Sequence, residues 1–227
     1  MHLDEYKAKG TKSWELILRD EHGRLLFSVR LKERSARQIQ AVLRWLRMLG
    51  LRDIATCYVD FFPAYPLAIR AIYPHAQIQY DFFHVVQNIH RHLYKALTAY
   101  RKAFKTAVTE PDQKALRQAL HKKLWENRYL LFTNDEHLSP EQRQVLDEWL
   151  VEHADTLVEH IVLFRQCLRG VLHESETFQQ AIERFALLIL EGWRDVSEAF
   201  GKVMSFLENH LDNILTYLRV PGGQRHS

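Results

Sequence analysis

The feature that most constrains this chain is a change of hydrophobic period near residue 81. Before it, short β-rich runs bounded by turn residues alternate with one strongly periodic helical stretch. After it, from Phe82 to Leu218, the apolar spacing is helical throughout and no alternating strand pattern stands out. The expectation is an α/β unit with a mixed sheet over residues 1–81, followed by a large helical region over 82–227.

Within the first part, Trp14 to Arg19 and Leu25 to Leu31 flank Asp20-Glu21-His22-Gly23 and predict a hairpin. Ser35, with Gln38 three residues on, predicts a helix start; Ile39, Val42, Leu43, Leu46 and Leu49 follow at helical spacing, and Gly50 closes the run. Ala55 to Val59 is a short apolar run ending in Asp60, and Ala76 to Tyr80 is another ending in Asp81. The Pro-containing segment Tyr65 to Tyr73 between them reads as helical, so the order is strand, hairpin, helix, strand, helix, strand. In the second part, Pro111 and Ser139-Pro140 serve as helix-start signals.

Composition narrows the class. A chain of 227 residues, 47% of them hydrophobic, buries one substantial core or one core with a packed helical extension. The 31 Lys+Arg against 28 Asp+Glu leave a net charge of +3, which permits an anionic partner without demanding one. Cys57 and Cys167 show no paired spacing of a zinc or redox motif, and both read as reduced, buried thiols. No stretch approaches the roughly 18 apolar residues of a membrane span, and Met1-His2-Leu3-Asp4 has no apolar signal core, so a cytoplasmic protein is expected.

Three acids stand at or beside expected strand ends: Asp4, Asp60 after Cys57-Tyr58-Val59, and Asp81 after Ile78-Gln79-Tyr80. Carboxylates at neighbouring strand ends can converge on a divalent metal, because Mg²⁺ prefers oxygen ligands. For any one Asp alone, a surface or helix-capping role is the commoner one. His84, one turn into the next helix, could brace Asp81 or meet a phosphate; the alternative is that Asp81 caps the helix and His84 is a satisfied, partly buried ring. That helix carries Val85, Ile89, Leu93, Ala96, Leu97, Tyr100 and Phe104 on one face and Arg91, Lys95, Lys102 and Lys105 on another, with no Asp or Glu from Phe82 to Thr109. A basic face is usually only solvated, but one following a candidate acid site is what a phosphodiester partner requires. Trp45, Trp125, Trp149 and Trp193 read as core, and His121, His137, His153, His160 and His173 form no metal-ligand pattern.

The block Asp60-Phe61-Phe62-Pro63-Ala64-Tyr65, Tyr73-Pro74-His75-Ala76 and Asp81-Phe82-Phe83-His84-Val85-Val86-Gln87-Asn88 resembles the segment of DDE insertion-sequence transposases in which the second catalytic Asp precedes a Tyr-bearing helix, a Pro-x-Ala turn and a D-x-F-H-V signature. Asp81-x-x-His84 also resembles an element of the wider Mutator-like group. Leu3-Asp4-Glu5-Tyr6-Lys7-Ala8-Lys9-Gly10 is similar to the first-acid strand of these enzymes, which is followed by a hairpin and an Arg-Ser-containing helix start. Leu138-Ser139-Pro140-Glu141-Gln142 and the helices after it are similar to the helical insertion of the ISL-three group.

The resemblance implies a ribonuclease-H-like core, Asp4 and Asp60 as catalytic metal ligands, and two Mg²⁺ or Mn²⁺ ions. It also implies DNA strand cleavage and strand transfer at element ends by a homo-oligomeric complex. The third acid of the family lies beyond a Pro-Gly turn, and Val220-Pro221-Gly222-Gly223-Gln224-Arg225-His226-Ser227 stops within that turn. The accompanying expectation is a chain cut short at both ends and lacking that acid. The alternative is an inactive transposase remnant that binds DNA or a protein.

Overall fold

The computed structural model describes residues 1–7, 10, 12–106 (104–106 by their backbone), 118–119 and 122–219. Five strands form one sheet: β1 (His2–Lys7), β2 (Trp14–Arg19), β3 (Leu25–Leu31), β4 (Thr56–Val59) and β5 (Gln77–Tyr80), in the order β3-β2-β1-β4-β5. β2 runs antiparallel to both β1 and β3, whereas β4 lies parallel between β1 and β5. This is the mixed α/β sheet expected of the first part, with β4 and β5 starting one residue later than the apolar runs suggest.

Local chemistry explains the elements. Asp20 closes the hairpin, its Oδ1 accepting from the backbone N–H of His22 and Arg24 at 2.9 Å each, and Gly23 takes the positive φ of 77° that the turn requires. Helix α1 (Ala36–Met48) is capped by Ser35, whose hydroxyl accepts from the Gln38 N–H. Gln38 does not complete a reciprocal box; its side-chain oxygen instead accepts from the backbone N–H of Lys32 and Glu33, fixing the approach to the helix. Ile39, Leu43 and Leu46 bury one stripe of α1 beside α2 (Ala64–Ile72). The carboxyl ends of these two helices are tied by Arg47 Nη1 donating to the Ile72 carbonyl at 2.7 Å and by the Tyr73 hydroxyl donating to the Leu51 carbonyl at 2.8 Å.

The chain divides into two compact units, Met1–Val86 with the segment from His210 on, and Gln87–Asn209. The expected boundary at 81/82 thus falls five residues before the end of the first stretch, within the opening of helix α3 (Phe82–Thr106). The returning segment joins the sheet unit through polar contacts. Gln79 on β5, 2% exposed, donates from Nε2 to the Ile214 carbonyl at 2.7 Å and accepts at Oε1 from the Tyr217 N–H at 2.8 Å. The Thr216 hydroxyl donates to the Ile78 carbonyl at 2.9 Å, and the Tyr217 ring sits edge-on to Phe82 at 5.2 Å.

The second unit holds most of α3, a helical stretch over 122–126, and α4 (Pro140–Glu152), α5 (Leu157–Leu172), α6 (Phe178–Leu190) and the short α7 (Trp193–Val196), with α8 (Glu198–Ile214) running on into the first unit. Ser139 and Thr177 cap α4 and α6 with reciprocal boxes to Gln142 and Gln180. Trp149, Phe164, Phe200 and Trp193 are buried, and Phe164 meets both Trp193 and Phe200 at 5.3 and 5.2 Å. Among the described residues, no helix is long and apolar enough to cross a membrane.

Three sequence readings need correction. Trp45 is 42% exposed and leans on Phe27 at 5.0 Å, because it stands two positions from Leu43 and so off the buried stripe of α1. Trp125 is half-buried, clamped between the guanidinium groups of Arg101 at 3.8 Å and Arg128 at 4.0 Å. Cys57 is buried, and burial pushes its thiol up to about 12, but Cys167 is only half-buried. Pro111 and His121 lie outside the described residues.

Candidate active site

Three parallel strands set the candidate acids level with one another. His2 of β1 pairs with Tyr58 of β4, their rings stacked at 4.4 Å, and Tyr58 pairs with Gln79 of β5. Two positions on from these residues come Asp4, inside β1, and Asp60 and Asp81, each the first residue beyond its strand. All three acids line one open cleft of about 520 Å³, together with His2, Tyr58 and His84. Arg19, Glu21 and Gly23 of the hairpin end close its side.

The three carboxylates are held differently. Asp4 is exposed, and its Oδ1 accepts from the Glu5 N–H at 2.8 Å. Asp60 is half-buried; its Oδ1 accepts from the Phe62 N–H at 2.8 Å and its Oδ2 from Arg34 Nη2 at 2.8 Å. Asp81 accepts from the Phe83 N–H at 2.8 Å, so it caps α3 while also facing the cleft. His84 lies against Phe83, with ring centroids 5.4 Å apart.

Strands about 4.8 Å apart place Asp4 and Asp81 roughly 9–10 Å from each other, too far for one small ion to bridge, whereas Asp4 and Asp60 are neighbours. Consistently, among the described residues no three His, Cys, Asp or Glu side chains gather closely enough to hold a metal.

Behind Asp60 lies a charged pair that sequence inspection did not single out. Glu5 follows Asp4 on β1 and points to the opposite face, where its side chain is 0% exposed and forms an ion pair with Arg34 Nε. Burial raises the Glu5 carboxyl above its ordinary value, against the opposing pull of Arg34. Tyr65 adjoins Glu5, and burial followed by the nearby carboxylates drives its phenol upward. A charged residue at an inward position of a strand was the available signal for Glu5.

Residues 1–221 match the family model described as a transposase, the ISL-three group of the DDE type. The chain belongs to this transposase family. No curated protein matches it. The transposase core is therefore ribonuclease-H-like, a mixed five-stranded sheet with associated helices, and the protein's general role is in transposition.

On α3 of this transposase, Arg91, Lys95 and Lys102 are exposed, while Val85, Ile89, Leu93 and Leu97 are buried, as the helical pattern requires. Arg91 donates to the Asn88 side chain. The side chains of Phe104 and Lys105 lie outside the described residues.

Proposed function

We propose that Asp4 and Asp60 are the carboxylate pair of a divalent-metal site for DNA strand cleavage and strand transfer. The observation that carries this reading is their level placement on adjacent parallel strands, both facing one cleft. The donor set suits Mg²⁺ or Mn²⁺: two carboxylates, hard oxygen ligands, at a solvent-open edge with room for the waters such ions retain. A bound ion of this kind supplies an activated water or hydroxyl and charge compensation for a displacement at phosphorus.

The chain's own side chains prepare the place. Asp60 is oriented by Arg34 and the Phe62 N–H, while Asp4 stays exposed with its second oxygen available to a ligand. Asp81 fixes the first turn of α3 and brings His84 to the cleft, where an imidazole can donate to a phosphate oxygen. Arg91, Lys95 and Lys102, exposed on α3, form a basic face that supports contact with a DNA backbone.

The test is Mn²⁺ binding together with metal-dependent nicking of an element-end duplex by the wild-type chain, Asp4→Asn and Asp60→Asn. The reading expects both substitutions to weaken Mn²⁺ binding at least tenfold and to remove any nicking. Duplex binding that persists with no measurable Mn²⁺ affinity in any of the three proteins would replace it with a DNA-binding module lacking catalysis.

A further inference from the structure

We infer that Arg34 is a positioning residue for the metal site, setting the Asp60 carboxylate through a fork anchored on the buried Glu5. This rests on the reading of Asp60 as a metal ligand. Arg34 lies in the connection between β3 and α1, close in sequence to neither carboxylate it touches. Its Nε donates to Glu5 Oε1, and its Nη2 donates to Asp60 Oδ2 at 2.8 Å.

Three observations make this an alignment device and not a loose surface pair. The Glu5 side chain is excluded from solvent, so the anchoring end of the fork cannot drift into water as an exposed ion pair does. The guanidinium plane rests on the Phe62 ring at 3.8 Å and over Trp14 at 5.1 Å, which restricts its rotation. Phe62 also supplies the N–H that holds Asp60 Oδ1, so it fixes one oxygen directly and braces the guanidinium that holds the other. Asp4, by comparison, accepts from its neighbour's N–H and has an exposed side chain. Of the two proposed ligands, Asp60 is the preset one and Asp4 the adaptable one.

The sign of the effect separates positioning from simple electrostatics. A cation beside a metal ligand competes with the metal, so if Arg34 acted only through its charge, removing it would tighten metal binding. If it acts by aligning Asp60, loss of the fork weakens binding even when the charge is kept. A lysine is a point donor that cannot span two carboxylates as the planar guanidinium does.

The experiment measures Mn²⁺ affinity by isothermal titration, with electron paramagnetic resonance of free Mn²⁺ as a second readout. The proteins are wild type, Arg34→Lys, the double variant Arg34→Met/Glu5→Gln, and Asp60→Asn, with circular dichroism to verify folding. The double variant removes both buried charges together, so it keeps the test alive where a single loss strands Glu5. The inference expects Arg34→Lys and the double variant each to bind Mn²⁺ about tenfold more weakly, the range seen when partners of metal ligands are lost. Unchanged affinity in Arg34→Lys, or tighter binding in the double variant, would overturn it while a weakened Asp60→Asn left the metal-site reading standing. No Mn²⁺ binding by wild type, or equal binding by Asp60→Asn, would overturn both.

Discussion

Replacing Gln79 with leucine is the sharpest probe of how the sheet unit is closed. The glutamine is 2% exposed and satisfies two backbone groups of the returning segment, the Ile214 carbonyl at 2.7 Å and the Tyr217 N–H at 2.8 Å. Leucine preserves the volume but removes both of these buried hydrogen bonds, at about 1–3 kcal/mol each, or roughly 2–6 kcal/mol gross. Better burial of an apolar side chain offsets about 1–2 kcal/mol of that, so a net loss near 2–3 kcal/mol is expected. Urea unfolding of the wild type and Gln79→Leu measures it, and hydrogen–deuterium exchange reports whether the loss is local, through faster exchange of the Tyr217 amide. A loss below about 0.5 kcal/mol, the range of an ordinary surface substitution, with unchanged exchange at residue 217, would refute the reasoning.

Ser139→Ala removes the cap of α4, whose hydroxyl accepts from the Gln142 N–H at 3.2 Å, and should cost about 1 kcal/mol in denaturant unfolding. His90, His92, His153 and His210 all have their pKa lowered, by burial first, and for His90 next by Arg165. The unfolded chain therefore takes up protons below about pH 6.5 that the fold resists. Stability present above that pH should fall as pH drops toward 5.5, and His90→Gln should flatten the profile in urea titrations at stepped pH. Charge reversal at Arg91, Lys95 and Lys102 should weaken non-specific duplex binding and lower the slope of log affinity against log salt by about one per lost contact; an unchanged slope in a fluorescence titration would mean that this face is only solvated.

How much of this was legible in the sequence depends on the range of the interaction. The hairpin was readable because Asp20 and Gly23 act within four residues, and the start of α1 because Ser35 caps its own helix. The level placement of Asp60 and Asp81 was nearly as accessible, since two short strands joined by one crossover helix must run parallel. Arg34 was not readable, because an ion pair between a loop and two strands leaves no periodic trace. Gln79 could have been noticed as a polar residue inside a short strand whose neighbours are buried, but nothing local named Ile214 and Tyr217 as its partners. Trp45 misled for the opposite reason, since an apolar helical pattern shows that a stripe exists without showing which edge residues fall outside it.

The split of the sheet unit across the sequence has a consequence for synthesis. When β5 leaves the ribosome, its β4 partners are already made, but Thr216 and Tyr217, which bond Ile78 and Gln79 from the returning segment, follow only after the whole of Gln87–Asn209. At about 5–20 residues per second, that delay is on the order of ten seconds. Throughout it, the last strand of the sheet presents an open edge of the kind that recruits other strands. The nascent chain must therefore protect this edge by rapid helical folding or by a chaperone, and a codon-slowed stretch within 87–209 should lower soluble yield more than the same slowing placed before β5.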